Sequence, residues 1–336
     1  MTDATHGPRV SVIVPNYNHA RYLPHRLQSV FGQTYRDVEV LLLDDASTDG
    51  SRDILSGYRD RPGVQLLFNE KNSGSPFRQW NKGVRLARGA YVWIAESDDV
   101  ADSRLLERLV SVLDRNSRVG IAYCMPMVIG EDGSPQASYL ERLESVDRDL
   151  WRQDFVMDGR EFLRQYQVVM NCVPNASGVL FRRDVFLAAG GAAEHLHLAG
   201  DWMTWSRMLL HGDVAFVAET LNHFRTHERT VRSDWLTHQT FALEYASVIR
   251  FVCGSVDVPA ESRQKAIEKL HARWRRVVRG FTLPGVLRLC LDAWAIGGLR
   301  SVGPFLRAGM AGMGRTRPVL QPLYRAGKAV LRARRS

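Results

Sequence analysis

The segment Ala90-Tyr91-Val92-Trp93-Ile94-Ala95-Glu96-Ser97-Asp98-Asp99 sets an apolar run directly against three acids in four positions. The run reads as a buried strand. Acids crowded at the exit of such a strand repel one another unless a cation sits between them, so one reading is a divalent metal held by oxygen ligands. The other is a polar loop in which Asp99 or Asp102 caps a following helix, Ser103 to Leu113. Taken alone, the cluster favours the cap, because such caps are common.

Upstream, Val10 to Val14 is a β-branched run ended by Pro15 and reads as a first strand. After a polar loop, Asn16 to Arg21, the apolar residues Leu23, Leu27, Val30 and Phe31 recur at helical spacing. A second strand, Val38 to Leu43, breaks at Asp44-Asp45-Ala46-Ser47-Thr48-Asp49-Gly50, where Ser47, Thr48 or Asp49 can cap a helix beginning near Ser51. Val64 to Phe68 is a third strand, followed by a polar loop, Asn69 to Ser75, and a helix over Pro76 to Ala87. Strands alternating with helices at this interval form βαβ units and a mostly parallel sheet, which takes its ligands at the carboxyl ends of the strands. Pro15-Asn16-Tyr17-Asn18, Asp44-Asp45 and the acidic cluster should therefore converge on one crevice. No glycine lies between Val10 and Phe31, so the GxGxxG fingerprint is absent, which argues against a dehydrogenase.

Downstream, Val119 to Ile129 is apolar and runs into a hairpin turn at Gly130-Glu131-Asp132-Gly133. Ser138 to Asp158 is polar and acidic without periodicity, and reads as an insertion or mobile loop over the crevice. Ser177 to Phe181 is a strand, and Arg183-Asp184 opens a short helix closed by Gly190-Gly191. Asp201 precedes a helix, Trp202 to Leu210, stopped at Gly212. A further strand, Val214 to Val217, leads to Phe224-Arg225-Thr226-His227.

VSVIVPNYN at 10–18, LLLDDASTDGS at 41–51, ESDD at 96–99, GDW at 200–202 and FRTH at 224–227 form an ordered set, each at a strand end or helix start. With this set the chain resembles the family-2 inverting glycosyltransferases of GT-A fold over about Arg9 to Ser233. The resemblance implies an α/β, Rossmann-like, mostly parallel sheet flanked by helices, and a nucleotide-diphosphate sugar donor, UDP-type by preference. Pro15 and Tyr17 would offer an apolar face to the base, with Asp44 and Asp45 at the nucleotide and Asp45 accepting a base N–H. The plainer roles for Tyr17 and Asp45 are half-burial and helix capping. Glu96, Asp98 and Asp99 match the donor diphosphate end, with glutamate departing from the simplest DxD form. Asp98 and His227 match the ligands of a Mg²⁺ or Mn²⁺ ion, which neutralises a departing diphosphate; a structural His227 is the plainer reading. Asp201 matches the general base, with Gly200 where the family has a first acid. Capping of the helix by Asp201 is compatible with that role. Asn171 to Gly178 resembles the acceptor-side segment of relatives, and Arg78 and Lys82 read as solvated surface or phosphate contacts.

The 336 residues are 45% hydrophobic and 24% charged, which places the chain among ordinary globular proteins. Cys124, Cys172, Cys253 and Cys290 form no CxxC pair, so a reducing compartment is expected. The N-terminal residues carry no apolar signal region, and no run of about 18 apolar residues occurs, so no transmembrane helix is expected. From Arg263 onward seventeen Lys or Arg face two acids, a local +15 that leaves the first 262 residues at −6. Leu236 to Val252, Pro259 to Phe281, Pro284 to Ala295 and Val319 to Arg335 read as helices, the later ones basic and amphipathic. Such helices lie on anionic membranes; nucleic-acid binding and a plain solvated face are the alternatives.

These readings give residues 1–233 as the glycosyltransferase domain and 234–336 as a basic, mainly helical region. The expected function is metal-dependent inverting sugar transfer to a glycan or lipid-linked acceptor in cell-surface polysaccharide or glycolipid assembly. The expected place is the cytoplasm, peripheral on the inner face of the membrane. A non-catalytic sugar-nucleotide-binding or scaffold protein and a nucleotidyltransferase are the alternatives.

Overall fold

Ten strands build one sheet: β1 (Val10–Asn16), β2 (Val38–Asp44), β3 (Val64–Phe68), β4 (Tyr91–Ile94), β5 (Val100–Ala101), β6 (Val119–Ile129), β7 (Pro135–Ser138), β8 (Phe155–Met157), β9 (Val179–Arg182) and β10 (Asp213–Arg225). The computed structural model describes residues 7–226, 235–277, 283–298 and 301–305, with side chains from residue 240 in the helix 235–255 and from residue 284 in the helix 283–297. The main path runs β3-β2-β1-β4-β9-β6-β10-β5, with β7 on β6 and β8 on β10. The first four strands are parallel. β9 then runs antiparallel between β4 and β6, and β10 runs parallel to β6. Helices cover both faces of the parallel half, which is why β1 and β2 are apolar at nearly every position.

Pro15 does not end β1. It stays in register with Leu43, and Asn16 with Asp44. Alternate residues of a parallel strand face alternate neighbours; Ile13 O accepts from Ala95 N, and Asn16 O from Asp45 N. Pro15 therefore faces the β4 side, beyond the last pair Ile13–Ile94, where its missing N–H interrupts nothing. The helix Pro76–Leu86 lies so close to β1 that a Cβ at Gly83 would stand 2.6 Å from the Ile13 side chain.

Residues 138–158 are not a loop. They hold the helix Leu140–Glu144, a short 3-10 turn Leu150–Arg152, and β8 antiparallel to β10. Leu143 and Trp151 are buried, and Trp151 Nε1 donates to Tyr123 Oη at 2.7 Å. Two or three anchors spread over twenty residues leave no period to read. Nor does Asp99 cap the helix Leu105–Arg115. Gln33 Oε1 accepts from Leu106 N at 3.0 Å and Asp102 Oδ1 from Arg104 N at 2.9 Å. At the helix Ser51–Ser56, Asp49 Oδ1 accepts from Ser51 N.

The chain divides into two compact units. The first comprises 1–163, 171–196 and 200–228; the second comprises 164–170, 197–199 and 229–336. Within the second, the helices Trp235–Ser255, Ala260–Val277 and Leu283–Gly297 pack together. The buried Glu244 accepts from the amides of His197, Leu198 and Ala199, each at 2.8 Å. The expected helix Val319 to Arg335 lies outside the described residues.

A buried charge fixes the lower end of the parallel sheet. Glu39 on β2 accepts from Ser11 Oγ (2.6 Å), Arg88 N (2.7 Å) and Arg88 Nε (2.8 Å). Burial pushes its pKa up, but these donors outweigh it and hold the carboxyl below the ordinary value. A depressed folded-state pKa contributes stability above the unfolded-state value and loses it as pH falls through the folded one. Stability to urea should therefore decline below about pH 4, and Glu39→Gln should cost about 2 kcal/mol at neutral pH and flatten the acid decline. Parallel pH profiles for the two proteins would refute this.

Candidate active site

β4 ends at Ile94, and Asp99 N donates back to Glu96 O at 3.2 Å, closing a tight acidic turn. The three carboxylates point to different surroundings. Asp99 is turned inward at 1% exposure, its Oδ1 accepting from Arg225 N (2.8 Å) and its Oδ2 from Asn175 Nδ2 (3.0 Å). Both its oxygens accept hydrogen bonds from the protein, and Asp99 thereby anchors the turn. Beside it lies Arg26 of the helix Leu23–Phe31, fully buried. Arg26 Nε donates to Glu96 O at 2.8 Å, Nη2 stands 4.0 Å from Asp99 Oδ2, and the guanidinium is 5.6 Å from the Trp93 ring. Neither Nη1 nor Nη2 makes a hydrogen bond. Arg225, the last residue of β10, donates through Nε to Asp98 O (2.8 Å) and through Nη1 to Gly130 O and Glu131 O (3.0 Å each). The cation expected among the acids is thus supplied in part by two arginines.

Glu96 and Asp98 are half-buried. Glu96 Oε1 accepts from Trp80 Nε1 at 2.7 Å, and its amide donates to Ser177 Oγ at 3.0 Å. Burial, and next the Asp98 carboxylate, push Glu96 up to about 8. Asp99 is likewise raised, by burial first and Asp98 second. Among the described residues no three His, Cys, Asp or Glu side chains gather in a way that could hold a metal ion. His227 lies outside the described residues.

On the neighbouring strand ends, Pro15 is buried and Tyr17 is 47% exposed. Asp44 is buried and accepts from Asn16 Nδ2, Ser47 N and Arg52 Nε at 2.9–3.0 Å. Burial raises its pKa, but those donors hold it below the ordinary value. Ala46 adopts a left-handed φ of 62°, a conformation that costs an L-residue about 1 kcal/mol and here turns the Ser47 amide onto Asp44. Asp45 Oδ1 accepts from Asn69 Nδ2, Ser73 N and Gln79 Nε2, and Oδ2 from Ser73 Oγ at 2.7 Å. Asp45 organises the 69–79 loop and caps no helix. Arg78 donates to Ser73 O, and Lys82 to Asn69 Oδ1, so both brace that same loop.

Asp201 sits in the first turn of the helix Gly200–Met208, its Oδ1 accepting from Trp202 N (2.7 Å) and its Oδ2 from Asn171 Nδ2 (3.0 Å). One segment, 171–178, therefore contacts both Asp201 and the acidic turn. Its start grips Asp201, while Asn175 and Ser177 grip Asp99 and Glu96. A second link is aromatic: Trp80, bonded to Glu96, has its ring 5.8 Å from Trp205 of the Asp201 helix and 5.1 Å from Phe77. Phe77 also explains Gly200, where a Cβ would stand 2.3 Å from its ring. The phenylalanine fills the space that a side chain at the first position would need.

The glycosyl transferase family 2 model matches residues 11–186, just over half of the chain. The chain belongs to this family. An uncharacterized glycosyltransferase of Nostoc, alr2836, is 31% identical over 186 residues, 53% of this chain and 52% of that protein. The poly(ribitol-phosphate) β-N-acetylglucosaminyltransferase TarS of Staphylococcus aureus is 31% identical over 140 residues, 41% of this chain and 24% of TarS. The chain thus spans about half or less of these curated relatives. Its fold is that of the solved TarS 1–349 in complex with UDP-GlcNAc, with a TM-score of 0.69 at 18% identity over 95% of this chain and 92% of that one. The mannosyltransferase PcManGT of Pyrobaculum calidifontis, in complex with GDP-Man and Mn²⁺, shares the fold at a TM-score of 0.55 and 18% identity, over 98% and 81% of the two chains. A GT-A sheet is thereby established for this family 2 chain.

Arg26, Trp80, Asn171, Asn175 and Arg225 were not assigned site roles from the sequence. Arg225 lies inside the FRTH motif and Asn171 and Asn175 inside the acceptor-side segment, so motif position pointed near them. Arg26 gave only a faint signal, a charge on the buried face of an amphipathic helix. Removing one member of a buried charge set leaves the other uncompensated. Arg26→Met should lower unfolding free energy by about 3 kcal/mol in urea titrations, and a loss below about 1 kcal/mol would contradict this placement.

Proposed function

We propose that this family 2 chain moves a sugar from a nucleoside diphosphate, UDP-type by preference, to a hydroxyl of a glycan or lipid-linked acceptor, with inversion. The observation that carries the reading is the grip of segment 171–178 on Asp201 at one end and on the acidic turn at the other. In such a transfer the acceptor oxygen forms a bond to the anomeric carbon as the bond from that carbon to the diphosphate oxygen breaks. The acceptor proton passes to a base, because a sugar hydroxyl is far too weak an acid to ionise unaided. Asp201 is that base. The Trp202 amide, donating to Oδ1, and the Asn171 amide group, donating to Oδ2, orient its carboxylate.

The leaving nucleoside diphosphate meets the acidic turn, which requires a counter-charge. Mg²⁺ or Mn²⁺ fits there in the manner of ions held by one or two carboxylates plus substrate phosphates. Asp98, at the ligand position of the motif and half-buried at the exit of β4, is the ligand of choice. When bound, the ion neutralises charge developing on the leaving phosphate. His227 is proposed as a further ligand on the motif alone. At the other end of the crevice Tyr17 offers a half-exposed ring to the base. Asp45 Oδ2, with the Ser73 hydroxyl its one hydrogen-bond partner, can accept a base N–H.

The names of TarS and of a putative teichuronic acid glycosyltransferase of Bacillus subtilis point toward cell-surface polysaccharide assembly. A lipid-linked acceptor would place the enzyme at the cytoplasmic face of a membrane, peripherally. No helix among the described residues is long and apolar enough to cross one.

Asp201→Asn should lower transfer by about 10³-fold while donor affinity stays within about twofold. Product analysis with a nucleotide-sugar panel separates the alternatives. Release of pyrophosphate marks a nucleotidyltransferase, and donor binding without transfer or hydrolysis in the wild type marks a binding protein.

A further inference from the structure

The helix Leu283–Gly297 buries one face against its unit and presents another to solvent. Leu287 is 40% exposed, Leu291 63% and Trp294 54%, at i, i+4 and i+7, so the three side chains form one stripe. Pro284 and Ala295 extend the stripe, and both are exposed. Its only acid, Asp292, is buried away from it and paired with Arg250 and Arg288. Arg288 stands at the edge of the stripe with its side chain 60% exposed. A cluster of two leucines and a tryptophan at these exposures is uncommon on a soluble surface and marks a contact site.

The surrounding charge identifies what the stripe meets. Arg275 and Arg276 are exposed in the last turn of the helix Ala260–Val277, eight and seven residues before the helix Leu283–Gly297 begins. After Asp292 the chain carries nine Lys or Arg and no acid. A second copy docked on this stripe would bring two strongly basic regions together. An anionic surface complements them.

We propose that Leu287, Leu291 and Trp294 insert into the headgroup and acyl boundary of an anionic bilayer, with Arg275, Arg276 and Arg288 meeting its phosphates. This names the lipid-facing surface within the peripheral-membrane part of the proposed function and rests on that part alone. Tryptophan favours the interface, and a helix of 15 residues with an apolar stripe lies in that plane rather than spanning it. Each basic residue near the lipid adds to the attraction, which weakens with salt.

Flotation of the full chain with vesicles of phosphatidylcholine and phosphatidylglycerol, against phosphatidylcholine alone, tests this directly. Wild type should float with the anionic vesicles at low salt and be released at high salt. Leu291→Glu/Trp294→Glu should lower partition at least about 30-fold. Val156→Glu, an equally exposed apolar site on β8, should change nothing. The milder Leu291→Ser/Trp294→Ser, with its thermal midpoint measured, covers misfolding of the charged variant. Equal binding to neutral vesicles, flotation unchanged in a folded stripe variant, or a wild-type dimer that these substitutions split would each overturn the proposal. Asp201→Asn should float like wild type, so this outcome and that of the transfer reading are read separately.

Discussion

Arg26 carries a charge with no exposure to water, one hydrogen bond from Nε to the carbonyl of Glu96, and two unpartnered nitrogens close to Asp99. Burial alone pulls its pKa down, and Asp99, Asp98 and Glu96, in that order, pull it back. Such a charge persists in a core only where neighbouring charges over-determine it. The acidic turn and Arg26 therefore require one another. Arg225 completes the arrangement from β10 and ties the turn to the β6–β7 hairpin through the carbonyls of Gly130 and Glu131. Crowding of acids, in the sequence one sign of a metal, is thus met first by the protein itself through Arg26 and Arg225.

This division of labour places three neighbouring acids in three roles. Asp99 holds the turn, Glu96 leans on Trp80, and Asp98 is the residue proposed to meet a donor. Trp80 extends the arrangement through Trp205 to the helix that begins with Asp201. Phe77, packed against Trp80, occupies the space beside Gly200. The departure of Gly200 from the family pattern is therefore a packing consequence.

The parallel half of the sheet was legible in the sequence because strands buried on both faces are continuous apolar runs, and their polar exits mark the crevice. Pro15 was misread as a strand end because a residue string does not show which neighbour a strand's N–H faces. Residues 138–158 were misread because Leu143 and Trp151 are isolated anchors. The candidate site residues were found by motif, but their orientation was not. Whether Asp99 points inward depends on Asn175 and Arg225, 76 and 126 positions away in the chain.

The central claim is that the acidic turn divides between an inward anchor and an outward ligand. Asp98→Asn and Asp99→Asn compared side by side, each for unfolding free energy and for UDP-sugar binding with and without Mn²⁺ by calorimetry, test it most directly. Asp98→Asn should lose the Mn²⁺-dependent part of binding. Asp99→Asn should lose about 2 kcal/mol of stability as its donors go unmatched. Equal stability in Asp99→Asn, or undiminished Mn²⁺-dependent binding in Asp98→Asn, would contradict the account.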